Sequence, residues 1–82
     1  MMAVAAKPAN RSDEAYLAQL GARVRAWRES TQVTRKELAL RSGLSERYLA
    51  QLEAGQGNLS ILLLRQLAQA MAMPMTLLVQ EQ

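Results

Sequence analysis

Apolar residues recur at three- and four-residue steps in the first third of the chain, which is the spacing of one face of an amphipathic helix. The stripe consists of Leu17, Leu20, Val24 and Trp27. The acidic residues Asp13 and Glu14 precede the stripe, where a helix dipole favours negative charge. The pattern predicts a first helix over residues 12–30, with Trp27 in the core.

The first eleven residues show no such periodicity. They are mostly small and include Pro8. We expect residues 1–11 to form a flexible N-terminal arm, followed by one domain over residues 12–82.

A second, shorter helix is predicted after Thr34. Thr34 and Glu37 have the spacing of a capping box, in which each side chain satisfies an amide at the start of a helix. Leu38 and Ala39 form a small apolar face, and Gly43 suits the left-handed conformation that ends a helix.

A third helix is predicted directly afterwards, with Ser45 as its N-cap. The residues expected to anchor it on the core are Leu44, Leu49 and Leu52. Its other faces carry Glu46, Arg47, Ala50 and Gln51, and the residues expected to end it are Gly55, Gly57 and Asn58. Residues 34–55 thus predict two short helices joined by a tight turn, with one side of the second helix free to project. This is the geometry of a helix-turn-helix, whose second helix enters the major groove of DNA.

Two further helices are predicted towards the C-terminus. Ser60 is placed to cap the fourth, and Pro74 suits the first turn of the fifth. The predicted core stripe of the fourth helix is Ile61, Leu64, Leu67, Ala68 and Met71, and the fifth helix carries Leu77 and Leu78.

The fourth helix contains more apolar residues than one stripe can bury, because residues 61–64 are all apolar. The residues in excess of the predicted core are Leu62, Leu63, Met75 and Leu77. Exposed apolar surface of this kind indicates a partner. A second copy of the chain or a further domain would cover it.

Composition favours an all-helical fold. Half of the 82 residues are hydrophobic, but only three are aromatic, so Leu, Ala, Met and Val supply most of the apolar mass. These residue types favour helices over strands, and we predict an all-α, compact bundle of five helices.

The residue types present also exclude several kinds of chemistry. The chain has no cysteine, no histidine, no glycine-rich phosphate loop and no carboxylate cluster, so we expect no enzyme, no metal and no cofactor. Arg65 and several glutamines interrupt the longest apolar helical stretch, which argues against a membrane span. We expect the protein in the cytoplasm.

The net charge of +3 is unevenly distributed along the chain. Residues 23–47 hold seven cations and three glutamates, whereas residues 1–22 are neutral and residues 48–82 are slightly acidic. The seven cations are Arg23, Arg25, Arg28, Arg35, Lys36, Arg41 and Arg47. Each alone is typical of a solvated surface, but together they indicate a face for a polyanion such as nucleic acid.

The segment TRKELALRSGLSERYLAQLEAGQGNLS, with the following run ILLLRQLAQAM, resembles the Cro/C1-type (XRE) helix-turn-helix regulators. The matching features are the Leu38–Ala39 pair, the turn residue Gly43, the cap Ser45, and Glu53 with Gly55. The resemblance covers residues 17–79 and implies a lambda-repressor-like fold that binds double-stranded DNA sequence-specifically.

A narrower resemblance is carried by SERYLAQLEAGQGN and SILLLRQLA, which are similar to the N-terminal domain of the BzdR/BoxR benzoyl-CoA-responsive repressors. It implies a repressor of aromatic-compound (benzoate) catabolism. In those repressors an effector domain similar to shikimate kinase follows. The resemblance leaves open whether this chain is part of such a regulator or a stand-alone relative.

The Cro/C1-type resemblance places base-reading side chains at the start and on the outer face of the third helix. They are Glu46, Arg47, Tyr48, Ala50 and Gln51. The chemistry agrees, because Arg pairs with guanine, Gln with adenine, and Glu accepts from cytosine. For Tyr48, contact with DNA and packing on the second helix are equally compatible with the sequence.

Contacts to the DNA backbone are expected from Thr34, Arg35, Lys36, Arg41, Ser45 and Asn58. The family often has Gln where this chain has Arg35, which can bind phosphate but cannot pair amide-to-amide with the third helix. Glu53 has a family-typical position, and we expect it to pair with an arginine of the first helix.

We therefore expect a transcriptional repressor that binds a palindromic operator as a homodimer, associated with the bacterial nucleoid when bound. The predicted dimer interface is the excess apolar set Leu62, Leu63, Met75 and Leu77. An antitoxin-like or adaptor module for protein binding is the alternative. The positive charge of residues 23–47, the basic middle of the chain, argues against a pure adaptor. Protein binding alone does not need that concentration of positive charge.

Overall fold

Five helices follow one another along the part of the chain that the computed structural model describes, residues 11–57 and 59–81. They are α1 (Arg11–Thr31), α2 (Arg35–Ser42), α3 (Glu46–Glu53), α4 (Ile61–Ala70) and α5 (Met75–Val79), and these ranges contain no strand. The predicted all-α fold of five helices is confirmed. The predicted arm lies outside the described residues, apart from Arg11, which begins α1.

Side-chain caps begin α2, α3 and α4 at the predicted residues. The Thr34 hydroxyl accepts a hydrogen bond from the Glu37 amide at 3.1 Å, and Glu37 Oε1 accepts from the Thr34 amide at 3.2 Å. Ser45 and Ser60 each accept from the amide three residues later, at 3.0 and 3.1 Å. Pro74 occupies the N-cap position of α5, one residue before its first turn. These caps satisfy amides that a helix start leaves unpaired.

The core lies where α1 packs on α3 and α5, α2 packs on α3 and α4, and α4 packs on α5. Its buried apolar residues are Leu20, Val24, Val33, Leu38, Leu49, Leu52, Leu67, Ala68, Met71 and Leu78. Trp27 is half-buried against this core, which confirms its prediction as a core residue.

Ile61 is 68% exposed, so its assignment to the core stripe of α4 is wrong. Later residues of the same helix are covered: Leu64 packs against the core, and Leu67 and Ala68 are buried. Helical periodicity identifies a face, not how far along that face the neighbouring helices reach.

The four apolar residues in excess of the predicted core do not all share one environment. Leu62 and Leu77 are exposed, whereas Leu63 is half-buried and Met75 packs against the core. Met75 lies three residues before the buried Leu78, and residues at this spacing share a helix face. The exposed large apolar residues of α4 and α5 are therefore Ile61, Leu62 and Leu77 rather than the predicted four.

Gly21 marks the closest approach of α1 and α3. A Cβ atom placed there would overlap the carbonyl oxygen of Leu52 and lie 2.9 Å from that of Glu53. This contact could not be predicted from the sequence near Gly21, because its partners are backbone atoms 31 and 32 residues away.

Two side chains of α1 hold the C-terminal end of α5. The Tyr16 hydroxyl donates to the Val79 carbonyl at 2.5 Å, and Arg23 donates to the carbonyls of Leu78 and Gln80 at 2.5 and 3.1 Å. These bonds satisfy carbonyls that a helix end leaves unpaired. Arg23 therefore serves the fold, although it belongs to the basic middle.

Candidate nucleic-acid interface

The turn between α2 and α3 is set by Gly43. Its φ of 77° is left-handed, and its amide donates to the Ala39 carbonyl at 2.9 Å, which closes α2. Leu44 follows and packs against the core, and Ser45 then caps α3. Two eight-residue helices are thus joined by a three-residue turn, as the sequence predicted.

Helix α3 divides into a buried and an outer face. Leu49 and Leu52 are 0% and 2% exposed, which fixes the helix on the core. Of the predicted base-reading residues, Glu46, Arg47 and Gln51 are exposed, and Tyr48 and Ala50 are half-buried. The burial raises the pKa of Tyr48, so its hydroxyl stays protonated at neutral pH. The outer face of α3 therefore presents a guanidinium, an amide and a carboxylate to solvent.

The residues predicted to contact the DNA backbone differ in their exposure and in their hydrogen bonds. Lys36, Arg41 and Ser45 are exposed. Thr34 is exposed as well, but its hydroxyl is engaged in the capping box; the hydrogen bonds from Thr34 lower the pKa of Glu37. Arg35 is only half-exposed, and Asn58 lies outside the described residues.

Glu53 is the centre of a network that joins α1, α2 and α3. Arg28 donates to both its oxygens, at 2.7 and 2.9 Å, and to the Val33 carbonyl at 3.1 Å. Arg35 Nε donates to Glu53 Oε1 at 3.2 Å. The predicted pairing of Glu53 with an arginine of the first helix is confirmed, and the second arginine was not predicted.

The two arginines decide the charge state of Glu53. Its side chain is 2% exposed, and burial by itself would raise its pKa. The hydrogen bonds and positive charges of Arg28 and Arg35 outweigh the burial and hold the pKa of Glu53 below its ordinary value. The carboxylate is therefore ionised at neutral pH, and it fixes the C-terminal end of α3.

The basic middle is thus shared between fold and surface. Arg23 holds α5, Arg28 and Arg35 bind Glu53, and Arg25 pairs with Glu29 on the surface of α1 at 3.3 Å. The exposed cations of the α2–α3 unit are Lys36, Arg41 and Arg47. Sequence charge alone did not separate these two groups, because an arginine that caps a distant helix looks the same in the sequence as a solvated one.

Leu40 is an exposed apolar residue that was not predicted from the sequence. It is 79% exposed on α2, beside a shallow groove at the α2–α3 turn that Ala39, Leu44 and Ser45 also line. The run Leu38–Ala39–Leu40 reads as apolar throughout, and only the direction of packing shows that its last residue faces solvent.

A capped pair of short helices whose second member presents polar side chains is the architecture of a helix-turn-helix domain. The helix-turn-helix family profile matches residues 24–78, and this chain belongs to that family, of the Cro/C1 type. Proteins of this family are DNA-binding transcriptional regulators and not enzymes.

The structure is similar to the crystal structure of the restriction-modification controller protein C.AhdI from Aeromonas hydrophila. The two share 33% sequence identity with a TM-score of 0.75, over 78% of this chain and 97% of that chain. No curated protein matches the chain. The narrower resemblance to the BzdR/BoxR repressors stays a prediction. No helix in residues 11–57 and 59–81 is long and apolar enough to cross a membrane.

Proposed function

We propose that this chain binds double-stranded DNA sequence-specifically and regulates transcription by reading base edges with the outer face of α3. The observation that carries the proposal is the division of α3, with Leu49 and Leu52 buried and Arg47 and Gln51 exposed one turn apart. A helix anchored in this way enters a major groove with its polar face towards the bases.

The base contacts follow from side-chain chemistry. Arg47 pairs with the O6 and N7 atoms of guanine, and Gln51 with the N6 and N7 atoms of adenine. Glu46 accepts from the cytosine amino group, while Tyr48 and Ala50 border the contact. The residues that bind phosphates are Thr34, Arg35, Lys36, Arg41, Ser45 and Asn58.

We expect Arg47→Ala and Gln51→Ala each to weaken binding to the cognate site by about 1–3 kcal/mol, with little loss on random DNA. The reason is that a bidentate base contact discriminates between sequences, whereas non-specific binding uses phosphates. The cognate site is first obtained by selecting bound fragments from randomised duplexes. Fluorescence anisotropy then measures the affinity of each variant for this site and for a scrambled duplex.

Arg65→Ala and Gln69→Ala are the matched controls, because they remove the same two residue types at the same four-residue spacing from the exposed face of α4. They should leave the ratio of the two affinities unchanged. An equal loss on both duplexes for Arg47→Ala and Gln51→Ala would reject the base-reading assignment.

We further propose that the regulator acts as a homodimer on a palindromic operator. One helix-turn-helix reads few base pairs, and two copies on half-sites about 34–36 Å apart are the usual solution. The exposed apolar residues Ile61, Leu62 and Leu77 lie in α4 and α5, outside the recognition helix. A contact there, bordered by Leu63 and Met75, leaves α3 of both copies free.

Leu62→Glu and Leu77→Glu should therefore shift sedimentation towards the monomer and abolish cooperative binding to a palindrome, because a carboxylate would be buried against apolar surface. Binding to a single half-site should persist. Leu40→Glu is the matched control for sedimentation, because Leu40 is equally apolar and more exposed, but lies on α2. Dimerisation of both test variants at the wild-type concentration would place the interface elsewhere.

For the mode of action we propose repression, by a dimer that covers a promoter in the cytoplasm. The sequence resemblance to BzdR/BoxR repressors supports genes of benzoate catabolism as targets, and the likeness to C.AhdI supports genes of a restriction-modification system. Selection of bound fragments from randomised duplexes, followed by a search for the selected site upstream of either gene class, tests the choice. A reporter under that site should fall in expression when the protein is supplied.

The alternative function is an antitoxin-like or adaptor module for protein binding. The observation that favours it is the exposed apolar set Leu40, Ile61, Leu62 and Leu77. The same selection separates the two functions, because a pure adaptor enriches no DNA sequence.

A further inference from the structure

Two arginines share a single carboxylate at the C-terminal end of α3. Arg28 alone satisfies both oxygens of Glu53, at 2.7 and 2.9 Å. Arg35 adds a third bond, from Nε to Oε1 at 3.2 Å. Because one carboxylate neutralises one guanidinium, the network keeps a net positive charge.

The surplus charge is located on Arg35. The Arg35 side chain is 42% exposed, against 14% for Arg28 and 2% for Glu53. Its hydrogen bond to Glu53 uses Nε alone, and among the described residues the two terminal nitrogens of Arg35 make no hydrogen bond. A guanidinium is a rigid planar fork, and fixing Nε fixes the direction of the other four N–H groups.

Arg35 is also the first residue of α2, directly after the cap Thr34. The start of a helix carries a partial positive charge, and the first turn of α2 adds two cations, Arg35 and Lys36, against one carboxylate, Glu37. The neighbouring exposed Lys36 adds to that positive potential.

We infer that Glu53 is a positioning residue, which holds Arg35 by Nε so that the terminal nitrogens of Arg35 bind a DNA backbone phosphate. The inference rests on the proposed DNA binding and deepens it. Glu53 belongs to the recognition helix, so the phosphate contact made at α2 and the placement of α3 are joined through one carboxylate. Arg35 is then a phosphate ligand fixed in direction, unlike the flexible surface cations.

Salt dependence of binding tests the phosphate contact. Arg35→Ala should lower the slope of log affinity against log salt by about 0.9 per protomer. Arg25→Ala is the matched control, because the Arg25 side chain is more exposed than that of Arg35 and also pairs with one carboxylate, Glu29 on α1. This control should leave the salt slope unchanged. In a scan of duplexes with single methylphosphonate linkages, one position per half-site should weaken wild-type binding but not binding by Arg35→Ala.

The positioning role of Glu53 is tested separately. Arg35→Lys keeps the positive charge. Its compact ammonium group, however, lacks the spread donors of a guanidinium, so it cannot bind Glu53 and a more distant phosphate at the same time. We expect it to lose most of the affinity that Arg35→Ala loses. In addition, Glu53→Gln should weaken binding of the folded protein when Arg35 is present and have a much smaller effect in the Arg35→Ala background.

The outcomes separate this inference from the proposed function. If no duplex is bound at all, both are wrong. If DNA is bound but the salt slope of Arg35→Ala equals that of the wild type, Arg35 serves only the fold and the inference alone fails. If Arg35→Lys binds as tightly as the wild type, charge suffices and the positioning by Glu53 is refuted, even where Glu53→Gln does not fold.

Discussion

Gly21→Ala is expected to destabilise the protein by about 2–3 kcal/mol, although alanine favours helices more than glycine does. The added methyl group would overlap the Leu52 carbonyl oxygen and lie 2.9 Å from the Glu53 carbonyl oxygen. Both partners are backbone atoms in the last turn of α3, so no side chain can rotate away. The two helices would have to separate.

Chemical denaturation of Gly21→Ala against the wild type measures this loss. Ala26→Gly is the matched control, because Ala26 is exposed on the same helix and its change isolates helix propensity. The control should lose about 1 kcal/mol of unfolding free energy, because glycine favours a helix less than alanine does. Gly21→Ala should lose more, although its gain in helix propensity alone would stabilise α1. A Gly21→Ala protein as stable as the wild type would mean that α1 and α3 do not meet there.

The same close approach has a consequence for DNA binding. The C-terminal turn of α3 rests on α1 at Gly21, and the outer residues Arg47 and Gln51 stand on the same short helix. A shift of α3 away from α1 would move these side chains relative to the phosphate-binding residues of α2. Any Gly21→Ala protein that still folds should therefore bind its operator less tightly, because the two sets of contacts no longer match one duplex.

Local signals in the sequence predicted most of the fold. Thr34 with Glu37, Ser45 and Ser60 cap the helices that they were expected to cap, and Gly43 takes the left-handed conformation. Each of these features depends on residues no more than four apart, so a single segment contains all the information. The outer residues of α3 were predicted for the same reason, since the positions of Leu49 and Leu52 fix the opposite face.

The features that escaped prediction depend on contacts between distant segments. Arg23 donates to carbonyls of the α5 end that lie 55 and 57 residues away, and the exposure of Ile61 depends on where other helices pack against α4. Arg35 was predicted only to contact a DNA phosphate. Its hydrogen bond to Glu53, 18 residues away along the chain, was not predicted. Only the pairing of Glu53 with α1 was foreseen, and that came from its position in the family's motif rather than from local chemistry.

Glu53→Gln is expected to cost about 3 kcal/mol at pH 7, because it removes the carboxylate charge that is hydrogen-bonded to the largely buried Arg28. Glu53 is 2% exposed and Arg28 14%, so water cannot replace the lost carboxylate easily. Thermal denaturation measures the loss. Glu29→Gln is the matched control: Glu29 also pairs with an arginine of the protein, but at 60% exposure, and should lose less than about 1 kcal/mol.

The pH dependence gives the same network a second, independent signature. The pKa of Glu53 is lower in the folded protein than the ordinary value of about 4.3 that it regains on unfolding. The unfolded chain therefore binds the proton more readily, and the stabilisation is fully present above that value and is lost as pH falls towards the folded-state pKa.

The wild type and Glu29→Gln should lose stability steeply in this acid range. Glu53→Gln should lose less, retaining the acid sensitivity of Glu37, whose pKa the capping box also lowers. If all three proteins show the same acid profile, the two arginines do not control the charge of Glu53, and the end of α3 is held by packing alone.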